Sequence, residues 1–441
     1  MNKIYYKSPI FVQHLLTSLY GYKLKKERYN KIYDEYFKNY IKEDYNNIDL
    51  INNLLHHLKE NISFYSNINI DNQNIIGSLK DLPITEKDDL RTELKKRSIT
   101  SKNLKITKTG GTTGKSLKVY TSEVDRAKRM AYLDYIKYLN NVQPFSKRAS
   151  FTGKEITPNK HKNKLWRYNF PMNQILYASF KLNIDNVRYV YENMRKNKIE
   201  SIDGFPTSIH LVAKYILKNK IKIDWNVKAV FPTAETLTEN AKSDIERAFN
   251  TVVIDQYASS EGAPFIFSNQ NGVYNVGHET GFFEFIKIEE NIYEMLVTSY
   301  INYATPIVRY KIGDCVLINS SKTNLNSIED DIEILKILGR NSDYLIGDDK
   351  NIITSVNLAN VIKDLGDKII QSQFNQKDNG HFEIRLVVSS EYLAQKDERT
   401  LINKLNHRLG EKSKYNFVYM DEIPKETSGK TRFIINELLK Q

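Results

Sequence analysis

Cysteine is almost absent from this chain: Cys315 stands alone among 441 residues. No disulfide can form within the chain, a thiolate zinc site has no ligands to draw on, and a reducing compartment is expected. Long apolar runs are missing as well. None approaches the ~20 residues that span a bilayer, and the N-terminal apolar stretches are interrupted by His14 and Lys23. Neither a transmembrane segment nor a signal peptide is expected, and the cytoplasm is the default location. The eight histidines show no HExxH or other paired metal spacing. What is present is 40% hydrophobic and 27% charged residues, enough for a large core divided over two or three domains, which excludes a disordered chain.

Positive charge is in excess, at +12 with a pI near 9.2. Residues 343–441 hold fifteen Lys/Arg and fifteen Asp/Glu, so the whole excess lies before them. Its densest cluster is Lys154, Lys160, Lys162, Lys164 and Arg167 against a single Glu155. Such a cluster reads as a solvated loop, or as a surface that draws an anionic substrate, polysaccharide or membrane. No finger, basic zipper or RNA-binding signature accompanies it, so nucleic acid is not an expected partner.

The first hundred residues read as helix, with Leu54, Leu55 and Leu58 at helical spacing. Two short alternating runs at Leu104–Ile106 and Leu117–Val119 then flank the loop TKTGGTTGKS, Thr107 to Ser116, like a hairpin. Ser122 and Asp125 form a capping box for a helix carrying Met130, Leu133 and Ile136. Thr207 is expected to cap a helix with the apolar stripe Ile209, Val212, Ala213, Ile216 and Leu217. TVVID, from Thr251, reads as a buried strand running into QYASSEG; GFFEFIKI and IYEMLVTSY read as half-buried strands. Helices and strands thus interleave to about residue 340, which predicts a multi-layer α/β domain. The last hundred residues carry a helix near 356–365, a strand from His381, a helix near 401–409 and a strand at 417–420, which suits a small α+β domain. The expected division is 1–340 and 341–441.

Chemistry gathers in five short segments. In the glycine loop, Gly110, Gly111 and Gly114 let backbone N–H groups approach an anion, while Thr109, Thr112, Thr113, Lys115 and Ser116 add hydroxyls and a cation; phosphate is the natural guest. Three residues separate Gly110 from Gly114 and a strand follows, so this is not a Walker A loop. A plain hairpin would also use Gly and Thr. YASSEG, Tyr257 to Gly262, places a carboxylate, Glu261, after a strand end, where it suits a metal-bound nucleotide or simply a polar turn. RYKIGD ends on Asp314, an acceptor for vicinal hydroxyls or an ordinary turn residue. ILGR ends on Arg340, and PKETSGKTR, Pro424 to Arg432, carries Lys425 and Lys430.

In this order and spacing, the five segments resemble the adenylate-forming enzymes: acyl-CoA synthetases, peptide-synthetase adenylation domains and luciferases. The resemblance runs from about Lys108 to Arg432. SFYSNI, LKDLPITEKDDL, DGFPTSI and FPTAETL further resemble the phenylacetate-CoA ligase group, and within it the shorter, CapK-like members encoded with capsule and surface-polysaccharide genes.

That resemblance implies two half-reactions. ATP and a carboxylic acid or amino acid give acyl-AMP and pyrophosphate; an amine on a sugar or amino acid, or the thiol of coenzyme A, then displaces AMP. It assigns the glycine loop to the β- and γ-phosphates, Glu261 to Mg²⁺, Tyr257 to adenine with Ala234 and Glu235 as the adenine-side wall and Ser260 nearby, and Asp314 and Arg340 to the ribose. Lys430 would bridge carboxylate and α-phosphate from a small mobile domain. Gly204, Phe205 and His278 are the expected acyl-pocket residues. The sequence departs from the family at Ser342, where the hinge usually has Asp or Lys, and at GDDKNI after Tyr344. The altered turn after Tyr344 and the CapK-like segments favour an amine over coenzyme A. A basic binding protein that keeps this fold without catalysis is the remaining alternative, and the joint presence of Lys430 and Glu261 argues against it.

Overall fold

The computed structural model describes residues 3–108, 117–152, 156–157, 163–235, 237–319, 332–340, 344–347, 352–354, 358, 361–362, 365, 368–425 and 431–438. Six helices come first, as the spacing predicts: α1 (Lys3–Lys7), α2 (Ile10–Arg28), α3 (Lys31–Lys42), α4 (Asn47–Asn61), α5 (Ile75–Lys80) and α6 (Lys87–Thr92). Asn30 and Asn46 begin α3 and α4 by accepting backbone N–H groups that have no partner within the helix. Leu54, Leu55 and Leu58 are fully buried, in a core shared with Leu79, Tyr300 and Val308.

Strands β1 (Lys105–Lys108) and β2 (Lys118–Thr121) pair antiparallel, with Lys108 opposite Lys118, so the flanks of the glycine loop form the expected hairpin. The capping box of α7 (Glu123–Tyr138) is also as expected. Asp125 N–H donates to Ser122 Oγ at 3.1 Å and Ser122 N–H to Asp125 Oδ2 at 2.7 Å.

The central sheet comprises β3 (Arg148–Thr152), β4 (Trp166–Asn169), β5 (Gln174–Ala178), β6 (Ser201–Gly204), β7 (Ala229–Pro232) and β8 (Val252–Val253), in the order β4-β5-β3-β6-β7-β8. It is parallel from β5 to β8, and β4 is an antiparallel edge. Helices α8 (Val187–Asn197), α9 (Pro206–Lys218) and α10 (Glu239–Phe249) cover one face through Val190, Ile209, Val212 and Ile245; Tyr132 and Ile136 of α7 pack with Ala229 and Phe231 on the other. Covering helices on both faces are what a parallel sheet requires.

A second, antiparallel sheet follows: β9 (Gln256–Tyr257), β10 (Ile266–Ser268), β11 (Tyr274–Val276), β12 (Gly281–Glu289), β13 (Ile292–Ser299), β14 (Tyr310–Ile318) and β15 (Ile334–Arg340), ordered β12-β13-β14-β15-β11-β10-β9. IYEMLVTS is buried almost throughout rather than alternately, because β13 lies between β12 and β14 with both faces covered. Cys315 is a buried thiol, and burial pushes it up to about 12.

Beyond residue 340 come the pair β16 (Tyr344–Ile346) and β17 (Ile352–Thr354), then β18 (Ile369–Asp378), β19 (His381–Val388), α11 (Ala394–Leu409), β20 (Lys414–Tyr419) and β21 (Ile434–Asn436). Their core draws on Leu345, Leu358, Phe374, Ile384, Leu405 and Ile434 and, among the described residues, on none before 345. Most of the helix expected at 356–365 lies outside the described residues.

Two expectations are corrected. The residue preceding the first turn of α9 is Phe205, not Thr207, with Pro206 as the first helical residue, where its fixed φ is preorganised. Thr207 bonds elsewhere, as described below. Arg167 is not part of a surface cluster: it is fully buried, and its Nε donates to Gln13 Oε1 at 2.8 Å. Lys154, Lys160 and Lys162 lie outside the described residues.

Candidate active site

The parallel strands β6 and β7 end side by side, and the loops leaving them build the first wall. Gly204 has φ +123°, and a Cβ there would stand 2.0 Å from Phe151 O, so the position needs glycine. Thr233 N–H donates to Gly204 O at 2.9 Å, which carries the pairing one residue past β7 and delivers Ala234 and Glu235 beside Gly204 and Phe205. Ala234 takes a left-handed φ of +73°, a strained conformation of the kind that functional loops retain. Glu235 Oε2 accepts the Thr207 hydroxyl at 2.8 Å, which ties this wall to the start of α9.

The other oxygen of Glu235 reaches the C-terminal part of the chain. Thr431 N–H donates to Oε1 at 2.9 Å, so the residue after Lys430 is fastened to the loop after β7. Lys425 Nζ donates to Ser179 O at 2.6 Å and Lys214 Nζ to Ile369 O at 3.3 Å, two further ties between the parts.

The acidic segment forms the second wall. Ile254 N–H donates to Val230 O at 2.9 Å, so the chain follows β7 before turning at Asp255 into β9. Asp255 accepts Tyr274 OH at 2.6 Å, and burial raises its carboxyl to about 6. Tyr257 OH donates to Asp314 Oδ2 at 2.5 Å, and Asp314 faces Arg340 across the β14–β15 pair. Three residues from distant motifs therefore meet at one place. Ser260 is exposed at the loop's tip, whereas Glu261 is buried. Leu117 and Val119, at the base of the glycine loop, share a core with Ala263, so that loop's base sits against the end of the acidic segment.

Thr109, Gly110, Gly111, Thr112, Thr113, Gly114, Lys115, Ser342 and Lys430 lie outside the described residues, as does the side chain of Arg340. His278 occupies a turn, His278–Thr280, between β11 and β12.

Two residues of the site, Arg129 and Asn302, have no motif to announce them, and the capping residue Asp125 has a further role. Arg129 Nη2 donates to Ser259 O at 2.9 Å, and burial pushes its guanidinium down to about 10 against the pull of the Glu261 carboxylate. Asn302 Nδ2 donates to Glu261 O at 3.3 Å. Asp125 accepts Tyr303 N–H at 2.9 Å and Ala304 N–H at 3.2 Å, holding the loop that carries Asn302. The available signal is spacing: Asp125 and Arg129, four residues apart, are polar groups near the core-facing stripe of α7.

This arrangement has counterparts among known proteins. Protein CapK of Staphylococcus aureus is 39% identical, in an alignment that takes in 99% of this chain and 100% of that one. The chain belongs to the CapK family. The CapK C-terminal domain matches residues 345–437. A solved structure of 2-hydroxyisobutyryl-CoA ligase, in the postadenylation state with 2-HIB-AMP, is similar with a TM-score of 0.69 at 13% identity, covering 88% of each chain. The same ligase in the thioesterification state, with 2-HIB-AMP and CoA, gives 0.54 at 14% identity over the same shares. The CapK family member described here thus has the fold of adenylate-forming ligases.

Proposed function

We propose that the chain is an ATP-dependent, AMP-forming carboxylate ligase that works in the cytoplasm and passes its acyl group to an amine in surface-polysaccharide biosynthesis. The observation that supports this reading is the bond from Thr431 N–H to Glu235 Oε1, which fastens the residue after Lys430 to the loop that carries Ala234. Residues 1–340 act as the adenylation domain and 341–441 as the mobile domain, with Ser342 at the hinge. The better superposition on the postadenylation state than on the thioesterification state supports a chain set for the first half-reaction.

In that half, a carboxylate oxygen bonds to the α-phosphorus of ATP and the bond to the β-phosphate bridging oxygen breaks, releasing pyrophosphate. Two anions must meet, so donors and cations have to be in place beforehand. In this reading Lys430 serves to bridge carboxylate and α-phosphate, and the glycine loop, Thr109 to Lys115, serves the β- and γ-phosphates. Tyr257 lies against adenine. Asp314, oriented by the Tyr257 hydroxyl, accepts from the ribose hydroxyls, and Arg340 donates to them. In the second half the amine nitrogen attacks the acyl carbon, the C–O bond to AMP breaks, and the amine loses a proton.

Magnesium suits the residues present. Among the described residues no group of three or more His, Cys, Asp or Glu can hold a metal ion, and Mg²⁺ commonly uses one or two carboxylates plus substrate phosphates. Glu261 supplies such a carboxylate; the ion, when bound, neutralises phosphate charge.

A second reading has coenzyme A as the acceptor, and the likeness to CoA ligases favours it. Pyrophosphate release across a panel of carboxylic and amino acids identifies the acid. Mass spectrometry of products formed with amino sugars, amino acids or coenzyme A then separates the readings. Amide formation supports the amine; saturable thioester formation with no amide overturns it; no acid-dependent pyrophosphate release removes the ligase reading altogether.

A further inference from the structure

Helix α2 turns its polar side to the protein. Its buried residues are Gln13, Thr17, Ser18 and Gly21, and the neighbouring strand explains why. β4 is the edge of the central sheet, and its main-chain groups on that side need partners from outside the sheet. Tyr168 N–H donates to His14 Nδ1 at 3.0 Å, Ser18 Oγ donates to Tyr168 O at 3.2 Å, and Phe170 N–H donates to Ser18 Oγ at 3.3 Å. The approach is close: a Cβ on Gly21 would stand 1.7 Å from Asn169 Oδ1. Folding therefore uses the polar stripe of α2, and the apolar residues are left on the other side.

There, Phe11, Leu15, Leu19 and Tyr22 recur at helical spacing and are 72%, 56%, 57% and 62% exposed, with Phe170 68% exposed beside the helix. Charge on this side is of one sign. Lys23 and Lys26 are exposed in α2 and Lys7 just before it, while Glu27, the only acid in the helix, pairs with Lys105. A stable dimer interface needs ~800 Å² per partner. A 19-residue helix presents a face roughly 28 Å long and 10 Å wide, far less than that. Self-pairing of the helix would also set lysines against lysines, with the one acid of α2 already held by Lys105.

We propose that α2 seats the protein on an anionic phospholipid surface. The helix lies in the plane of the interface, with Phe11, Leu15, Leu19 and Tyr22 entering the boundary between headgroups and acyl chains and Lys7, Lys23 and Lys26 meeting the lipid charges. This does not depend on the ligase reading.

Vesicle co-sedimentation with the full chain tests it. The protein should pellet with phosphatidylcholine vesicles containing about a quarter phosphatidylglycerol, and at least roughly tenfold less with pure phosphatidylcholine. Phe11→Ser, Leu15→Ser and Leu19→Ser combined should lower the partition constant at least roughly 100-fold. Lys23→Gln with Lys26→Gln should lower it roughly 25-fold and flatten its salt dependence. These lysines are exposed, so the pair carries the test alone if the triple variant melts early. No pelleting with either vesicle, or unchanged binding by the lysine pair, overturns the proposal. So does a dimer in sedimentation velocity that the triple variant dissolves, which would assign the face to a second copy of the chain.

Discussion

Glu235 accepts the backbone N–H of Thr431 at 2.9 Å while its other oxygen holds the Thr207 hydroxyl at 2.8 Å. One carboxylate thus joins the loop after β7, the start of α9 and Thr431. Glu235→Gln removes the charge from both contacts, and its amide nitrogen, whether turned to Thr431 N–H or to Thr207 N–H, leaves one backbone donor without its acceptor. A hydrogen bond to a charged group contributes about 1.5–3 kcal/mol. Acid-dependent ATP–pyrophosphate exchange should therefore fall roughly 10- to 100-fold. Thr207→Val, which leaves the Thr431 bond intact, should lose less exchange and more thermal stability. Equal exchange losses in the two variants would show that Glu235 acts only on α9.

Tyr257 holds Asp314 through its hydroxyl at 2.5 Å. Tyr257→Phe keeps the ring and frees the carboxylate, so the KM for ATP should rise about tenfold with kcat less affected. Steady-state kinetics with the acid saturating measures this, and a loss confined to kcat would take Asp314 away from nucleotide binding.

His14 shows how the edge of the central sheet responds to pH. Burial, with Arg167 and Lys164 nearby, lowers its pKa from 6.5 to about 4, so the folded protein holds it neutral as an acceptor for Tyr168 N–H. Its contribution to stability is fully present above pH 6.5 and is lost as pH falls from 6.5 toward 4, where only the unfolded chain takes the proton. His14→Gln keeps an acceptor and does not titrate. Denaturant melts should give a difference between wild type and variant that is flat above pH 7 and shifts against the wild type below 6.5. A difference independent of pH would place the imidazole in water.

Much of this was legible in the chain, and what was not has physical reasons. The hairpin around the glycine loop and the Ser122–Asp125 box depend on residues a few positions apart, so local spacing exposes them. Glu235, Tyr257 and Asp314 were marked by motifs, but the bonds joining them to Thr431 and to each other cross 196 and 57 residues and follow only from topology. Arg129 and Asn302 steady the acidic segment from other elements and carry no motif. Arg167 looked like one more surface cation because composition does not reveal that Gln13 buries it. Helix α2 was harder still: hydrophobic periodicity predicts apolar side inward, and here the unpaired edge of β4 reverses that rule.

The central claim is that Lys430 serves only where carboxylate and phosphate meet. Comparing Lys430→Ala with wild type in both half-reactions tests this most directly, with acid-dependent ATP–pyrophosphate exchange for the first and transfer from preformed acyl-AMP for the second. Exchange should fall by at least roughly a thousandfold while transfer is spared. Equal loss in both halves, or exchange that survives the substitution, would contradict it.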